Sequence, residues 1–124
     1  KNGSGLSRTM YFQPALITAV LADIYENSPW AYEYVSSLSV AGSDGTLKRR
    51  AIEEQHIGSI RGKTGSINGV YCIVTYLWIE GEVYAMAFFI NKLRRSNSYA
   101  RSLQDYAMQL LLSEPEDAQR KKGR

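Results

Sequence analysis

The sequence predicts a mixed α/β (α+β) fold, an antiparallel sheet of about three strands flanked by helices. Two observations carry this. Ile60–Gly65, Val70–Ile79 and Val83–Ile90 are strand-forming runs in close succession, the last two joined through Glu80-Gly81-Glu82. Those last two are apolar at odd and even positions alike, so helices are expected over both of their faces. Helical periodicity before and after the strands supplies the covers.

The elements follow in chain order. Residues Lys1 to Arg8 are loop-like, rich in glycine and serine. Pro14 opens a helix, and Ala15 to Glu26 carries the apolar stripe Leu16, Ala19, Val20 and Ile24. Asn27-Ser28-Pro29 ends it. A short helix from about Ala31 to Ser37 follows, with Trp30, Tyr34, Val35 and Leu38 as its apolar side. Val40 to Leu47 places glycines on both sides of Asp44 and reads as a tight turn. Lys48 to Glu54 predicts a further short, charged helix, and His56 an exposed loop residue. After the strands, Ser96 or Asn97 caps a final helix whose buried side is Tyr99, Leu103, Tyr106, Ala107, Leu110 and Leu111. Residues 1–113 form one domain portion, and 114–124 a charged, disordered tail.

Composition narrows the function. A chain of 124 residues with 44% apolar content builds one domain. Its net charge of +3 is concentrated at the end: Arg120, Lys121, Lys122 and Arg124 are four of fifteen basic residues, leaving eleven against twelve acids. The body is therefore no polyanion-binding surface, and no nucleic-acid partner is expected. No leader-like segment is present, nor any apolar run near the ~20 residues of a membrane span. The single Cys72 excludes an intrachain disulfide and reads as a buried, inert thiol. His56, the one histidine, has no second histidine or nearby thiol with which to anchor a metal.

The chemistry concentrates at Gly62-Lys63-Thr64-Gly65-Ser66. Lys63 offers a point charge, Thr64 a hydroxyl, and the glycines permit close approach to the backbone. Such a strand edge can hold a carboxylate and present main-chain N–H groups to a developing oxyanion. A phosphate-binding loop is excluded. It needs four residues between its glycines, whereas Gly58 and Gly62 enclose three, and a helix must follow where a strand does.

Three blocks occur in order: Asn2-Gly3-Ser4-Gly5-Leu6-Ser7-Arg8, Val40-Ala41-Gly42-Ser43-Asp44-Gly45-Thr46-Leu47-Lys48 and Lys63-Thr64-Gly65-Ser66-Ile67-Asn68-Gly69-Val70. Together they make the chain resemble the C-terminal part of class C low-molecular-mass penicillin-binding proteins, serine D-Ala-D-Ala carboxypeptidases/endopeptidases with a β-lactamase/transpeptidase-like domain. Asn2 stands where the family usually has Asp, and Ser39 where it has proline. A larger departure concerns the nucleophile. The family needs Ser-x-x-Lys, and no serine here has lysine three positions on. Ser66-Ile67-Asn68 matches the family's Ser-x-Asn only formally, because it lies inside the Lys-Thr-Gly block.

The resemblance implies roles. Lys63 tunes the electrostatics of the nucleophile region, and the Ser66 N–H is one oxyanion donor. Thr64 binds the terminal carboxylate of a D-Ala-D-Ala stem peptide, and Gly65 keeps the edge open. Asp44 either borders the site or simply closes its turn. The implied partners are peptidoglycan stem peptides and β-lactams, with no cofactor and no metal, in the periplasm. The isolated chain is expected to be inactive and to self-associate along the Val83–Ile90 strand. Two other readings stay open: another penicillin-recognising acyltransferase (a β-lactamase or transpeptidase), or a non-catalytic interaction module. Residues encoded upstream of Lys1 discriminate, since a Ser-x-x-Lys there marks the enzyme.

Overall fold

The computed structural model describes residues 13–50, 52–67, 69–91 and 93–113, the side chain of Ile67 excepted. The loop-like start and the charged tail of the sequence reading lie outside them. Helix α1 spans Pro14–Asn27, with proline in its first turn where no N–H is needed. Helix α2 spans Ala31–Ser37, and strand β1 is Ser39–Val40. Strands β2 (Ile60–Ile67), β3 (Val70–Ile79) and β4 (Glu82–Ile90) precede helix α3, Asn97–Ser113. The sheet is antiparallel throughout, in the order β1-β2-β3-β4. It has four strands where the sequence predicts about three. β1 is two residues long, too short to carry an alternation pattern.

Register sorts the side chains. Thr64 faces Ile73, Gly62 faces Thr75 and Ile60 faces Leu77, so these six share one side of the sheet. On that side Ile60, Ile73, Leu77 and Ile79 pack with Met108 and Leu112 of α3 and with Ala41 and Leu47 to form the core. Each fully buried aliphatic side chain there contributes about 1.5–3 kcal/mol. The other side carries Lys63, Gly65, Cys72, Val74 and Tyr76; α1 packs on it over β3 and β4, and α2 reaches it through Tyr34. Tyr76, 1% exposed, is its centre: its hydroxyl donates to the Leu21 carbonyl at 2.6 Å, and Tyr25, Tyr34 and Trp78 surround its ring. Both faces are covered as expected, though β4 contains no fully buried residue.

The hairpins follow from backbone chemistry. β3 turns into β4 through Glu80 (φ 51°) and Gly81 (φ 81°), two left-handed residues whose twist suits a two-residue hairpin. Gly62 permits the tight β2–β3 contact, since a Cβ there would lie 2.5 Å from Thr75 Cγ2 and from the Val74 carbonyl oxygen.

Five local expectations are corrected. The Lys48–Glu54 helix does not form; short 3-10 turns at Gly45–Leu47 and Glu54–His56 stand near its two ends. Of the described residues between them, Arg50 sends its guanidinium to α3 and Ile52 packs on the core. His56 is half-buried, its Nδ1 3.1 Å from Gln109 Nε2 on α3. Trp30, the residue that precedes α2, is 69% exposed. In α1 the inward side is Leu21 with half-buried Ile17 and Ile24, leaving Leu16, Ala19 and Val20 exposed. In α3 the buried face is Ala100, Gln104, Asp105, Met108 and Leu112, whereas Tyr99, Tyr106 and Leu111 are exposed. Burial of Gln104 and Asp105 has a specific cause, the ion pair described next.

Candidate active site

β1 begins at Ser39, opposite Gly62, and runs antiparallel towards Arg61, so from Lys63 onward the outer edge of β2 has no strand beside it among the described residues. That open edge carries the Lys-Thr-Gly-Ser segment. Alternation sends its side chains to opposite faces. Lys63 is exposed and its Nζ donates to the Thr64 carbonyl at 2.7 Å. Thr64 points to the α3 side, where its Oγ1 lies 3.4 Å from the Thr46 hydroxyl. Ser66 is exposed and paired in register with Tyr71.

Gly65 has a steric reason to be glycine. A Cβ there would lie 2.9 Å from the Cys72 sulfur, and the thiol donates to the Gly65 carbonyl at 3.5 Å. Cys72 is half-buried, not fully buried as the sequence suggests. Burial pushes its thiol pKa up, against the smaller opposing effects of the Lys63 charge and the Gly65 carbonyl. Burial therefore favours the neutral thiol over the thiolate.

On the α3 side, Thr46, Arg50, Thr64, Ser66, Arg101 and Gln104 line a cleft of about 270 Å³ that also reaches Tyr71 and Asn97. Its rear is anchored by Arg50. The guanidinium donates to Asp105 Oδ1 at 3.0 Å, to Gln104 Oε1 at 3.1 Å and to the Arg101 carbonyl at 3.3 Å. Both side chains of the Arg50–Asp105 pair are more than nine-tenths buried. Such a pair positions more than it stabilises, because desolvation offsets much of the attraction. At the mouth, the Tyr71 hydroxyl donates to Asn97 Oδ1 at 2.5 Å.

Of the residues singled out by sequence, Lys63, Thr64, Gly65 and Ser66 sit together on the open edge. Asp44 does not line the cleft; its Oδ1 accepts the Val40 N–H at 2.6 Å and closes the turn that carries Thr46. Sequence reading missed Thr46, Arg50, Arg101 and Gln104. Thr46 lies inside a block already quoted, but nothing in the pattern of α3 marks Arg101 or Gln104.

The family profile described as D-Ala-D-Ala carboxypeptidase 3 (S13) matches residues 1–114. The chain belongs to that family. It is 39% identical over 70 residues to "Penicillin-sensitive carboxypeptidase A" of Dictyostelium discoideum, a match covering 56% of this chain and 13% of that protein. Its fold superposes on penicillin binding protein 4 from Haemophilus influenzae, solved in complex with a β-lactam. That match has a TM-score of 0.75 and 29% identity, covering 91% of this chain and 27% of that one. A second crystal structure of the Haemophilus protein gives a TM-score of 0.73 with 30% identity. The chain thus spans about a quarter of the solved relative's length. Among the described residues, no helix is long and apolar enough to cross a membrane.

Proposed function

We propose that this chain is the substrate-binding portion of a periplasmic serine D-Ala-D-Ala carboxypeptidase/endopeptidase, acting on peptidoglycan stem peptides through an acyl-enzyme and recognising β-lactams. The observation that carries the reading is the open edge of β2, where Lys63, Thr64, Gly65 and Ser66 lie beyond the last β2 residue that pairs with β1. A peptide lying along that edge meets the Thr64 hydroxyl with its terminal carboxylate and the Ser66 N–H with its scissile carbonyl oxygen. Lys63 lowers the cost of negative charge near the attacking serine. Asp44 contributes at one remove, through the turn it closes beside the edge. Removing one oxyanion donor in such enzymes costs about 3–4 kcal/mol.

No serine in this chain is followed by lysine three residues later. Acyl transfer has no first step without that nucleophile. A fluorescent penicillin should therefore leave the isolated chain unlabelled, and a pentapeptide should release no D-Ala; stoichiometric labelling would overturn this assignment of roles. In a longer form carrying a Ser-x-x-Lys, Lys63→Ala and Thr64→Val should each slow penicillin acylation by about a hundredfold. Self-association of the chain through β4 belongs to the same reading.

A further inference from the structure

A second cavity, of about 450 Å³, lies at the opposite end of the sheet from the Lys-Thr-Gly edge. Gly65 pairs with Cys72 near the start of β3, whereas the cavity opens beside Ile79 at its end, about 24 Å along the strand. Ile79 and Leu112, both more than nine-tenths buried, are its apolar wall. His56, Ser59, Glu80 and Ser113 are its polar one. Its size suits a small ligand.

The polar wall is oriented by Gln109 of α3. The Gln109 Oε1 accepts the Glu53 main-chain N–H at 3.5 Å, and that group can only donate. The amide is thereby fixed with Nε2 on its other side, 3.1 Å from His56 Nδ1 and 3.0 Å from the Ser113 hydroxyl oxygen. An NH₂ group has no acceptor capacity, so the neutral His56 ring accepts through Nδ1 and carries its proton on Nε2. The Glu53 carboxylate does not compete for Nδ1; it stands 3.9 Å away and accepts from Gln55 at 2.9 Å. Ser113, whose oxygen already accepts, keeps its O–H to donate.

These donors belong to a cavity whose charged lining residue is Glu80, with no lysine or arginine beside it among the described residues. Such a lining disfavours anions. It suits a carbonyl oxygen for the donors, an ammonium group for Glu80 and an apolar side chain against Ile79 and Leu112. The first residue of a peptide carries all three on adjacent atoms.

We propose that this cavity binds the amino-terminal unit of a peptide with an apolar first residue, its ammonium group on Glu80 and its first carbonyl on His56 Nε2–H. The site stands apart from the Lys-Thr-Gly edge and does not depend on the function proposed for that edge.

NMR titration of the isotope-labelled chain with leucinamide at neutral pH tests it. Two controls accompany the probe: N-acetyl-leucinamide, which lacks the ammonium group, and 3-methylbutylamine, which lacks the carbonyl. Leucinamide should shift the His56 ring, Glu80 and Ser113 signals saturably at millimolar concentration, and each control should bind about tenfold more weakly. Glu80→Gln should weaken leucinamide binding about tenfold and leave the melting temperature unchanged, because Glu80 is exposed. Nitrogen spectra of the free chain should show the neutral His56 ring in its Nε2–H form. The absence of a saturable response, a control that binds as tightly as leucinamide, undiminished affinity in Glu80→Gln, or an Nδ1–H ring would each overturn the proposal.

Discussion

Gly65 and Arg50 show how single residues hold the site open. At Gly65 any side chain meets the Cys72 sulfur, 2.9 Å from where its Cβ would stand. Gly65→Ala should therefore lower the melting temperature and disturb the edge, at a cost of about 1–3 kcal/mol. Cys72→Ala in the same chain should recover most of that loss, since it removes the colliding atom. A double-mutant cycle by thermal unfolding reads the coupling, and additive effects would show that the thiol is not the obstacle. Arg50 works from behind. Its guanidinium ties a loop to three successive points of α3. Arg50→Ala strips the buried Asp105 carboxylate of its cation and should cost about 3–5 kcal/mol in denaturant unfolding. It should also loosen Gln104, whose Oε1 accepts from the same guanidinium.

At the scale of elements, the contact between α1 and the sheet turns on Tyr76. Burial, with smaller contributions from Tyr34 and Tyr25, raises its pKa to about 12 from an ordinary value near 10. The unfolded chain then loses this proton first as pH rises. Stability attributable to Tyr76 is complete below pH ~10 and is lost between about 10 and about 12. Tyr76→Phe should flatten that alkaline slope and cost about 1 kcal/mol at neutral pH through the lost bond to Leu21. Chemical denaturation at stepped pH measures both. The same elements show what could be read in advance. β3 and β4 were legible because apolar runs rich in β-branched and aromatic residues, joined through Glu80-Gly81, have few other solutions. The extents of α1 and α3 were legible from Pro14, the Asn27-Ser28-Pro29 stop and the Ser96 cap, whose Oγ accepts the Tyr99 N–H at 3.1 Å. Their buried faces were not. Periodicity assigns apolar residues inward, yet Gln104 and Asp105 go inside because Arg50, more than fifty positions away, meets them there. For that reason the Lys63–Ser66 edge could be read from the chain, but the cleft behind it could not.

For the whole molecule, the decisive feature is that β4 ends the sheet. No strand lies along its outer edge among the described residues, so its main-chain donors and acceptors on that side offer a template for pairing. Its side chains do little to discourage this. Val83, Ala85, Met86, Ala87, Phe88, Phe89 and Ile90 are all apolar and only half-buried, and Tyr84 is 50% exposed. Helix α1, which packs on β4, adds apolar surface with Leu16 51% and Val20 47% exposed. The charged segment after the strand protects only its end; there Arg95 stacks 5.0 Å above the Tyr99 ring. Two copies related by a two-fold axis can pair β4 with β4 antiparallel, continuing the sheet across both and covering the flanking apolar faces. Sedimentation velocity at micromolar concentration should therefore detect a dimer or larger species. Tyr84→Lys, which puts a charge on the edge at an exposed position, should shift the population towards monomer with little change in melting temperature. A chain that sediments as a monomer with a cooperative unfolding transition would show that its own residues cover the edge of β4, and the pairing argument would fall.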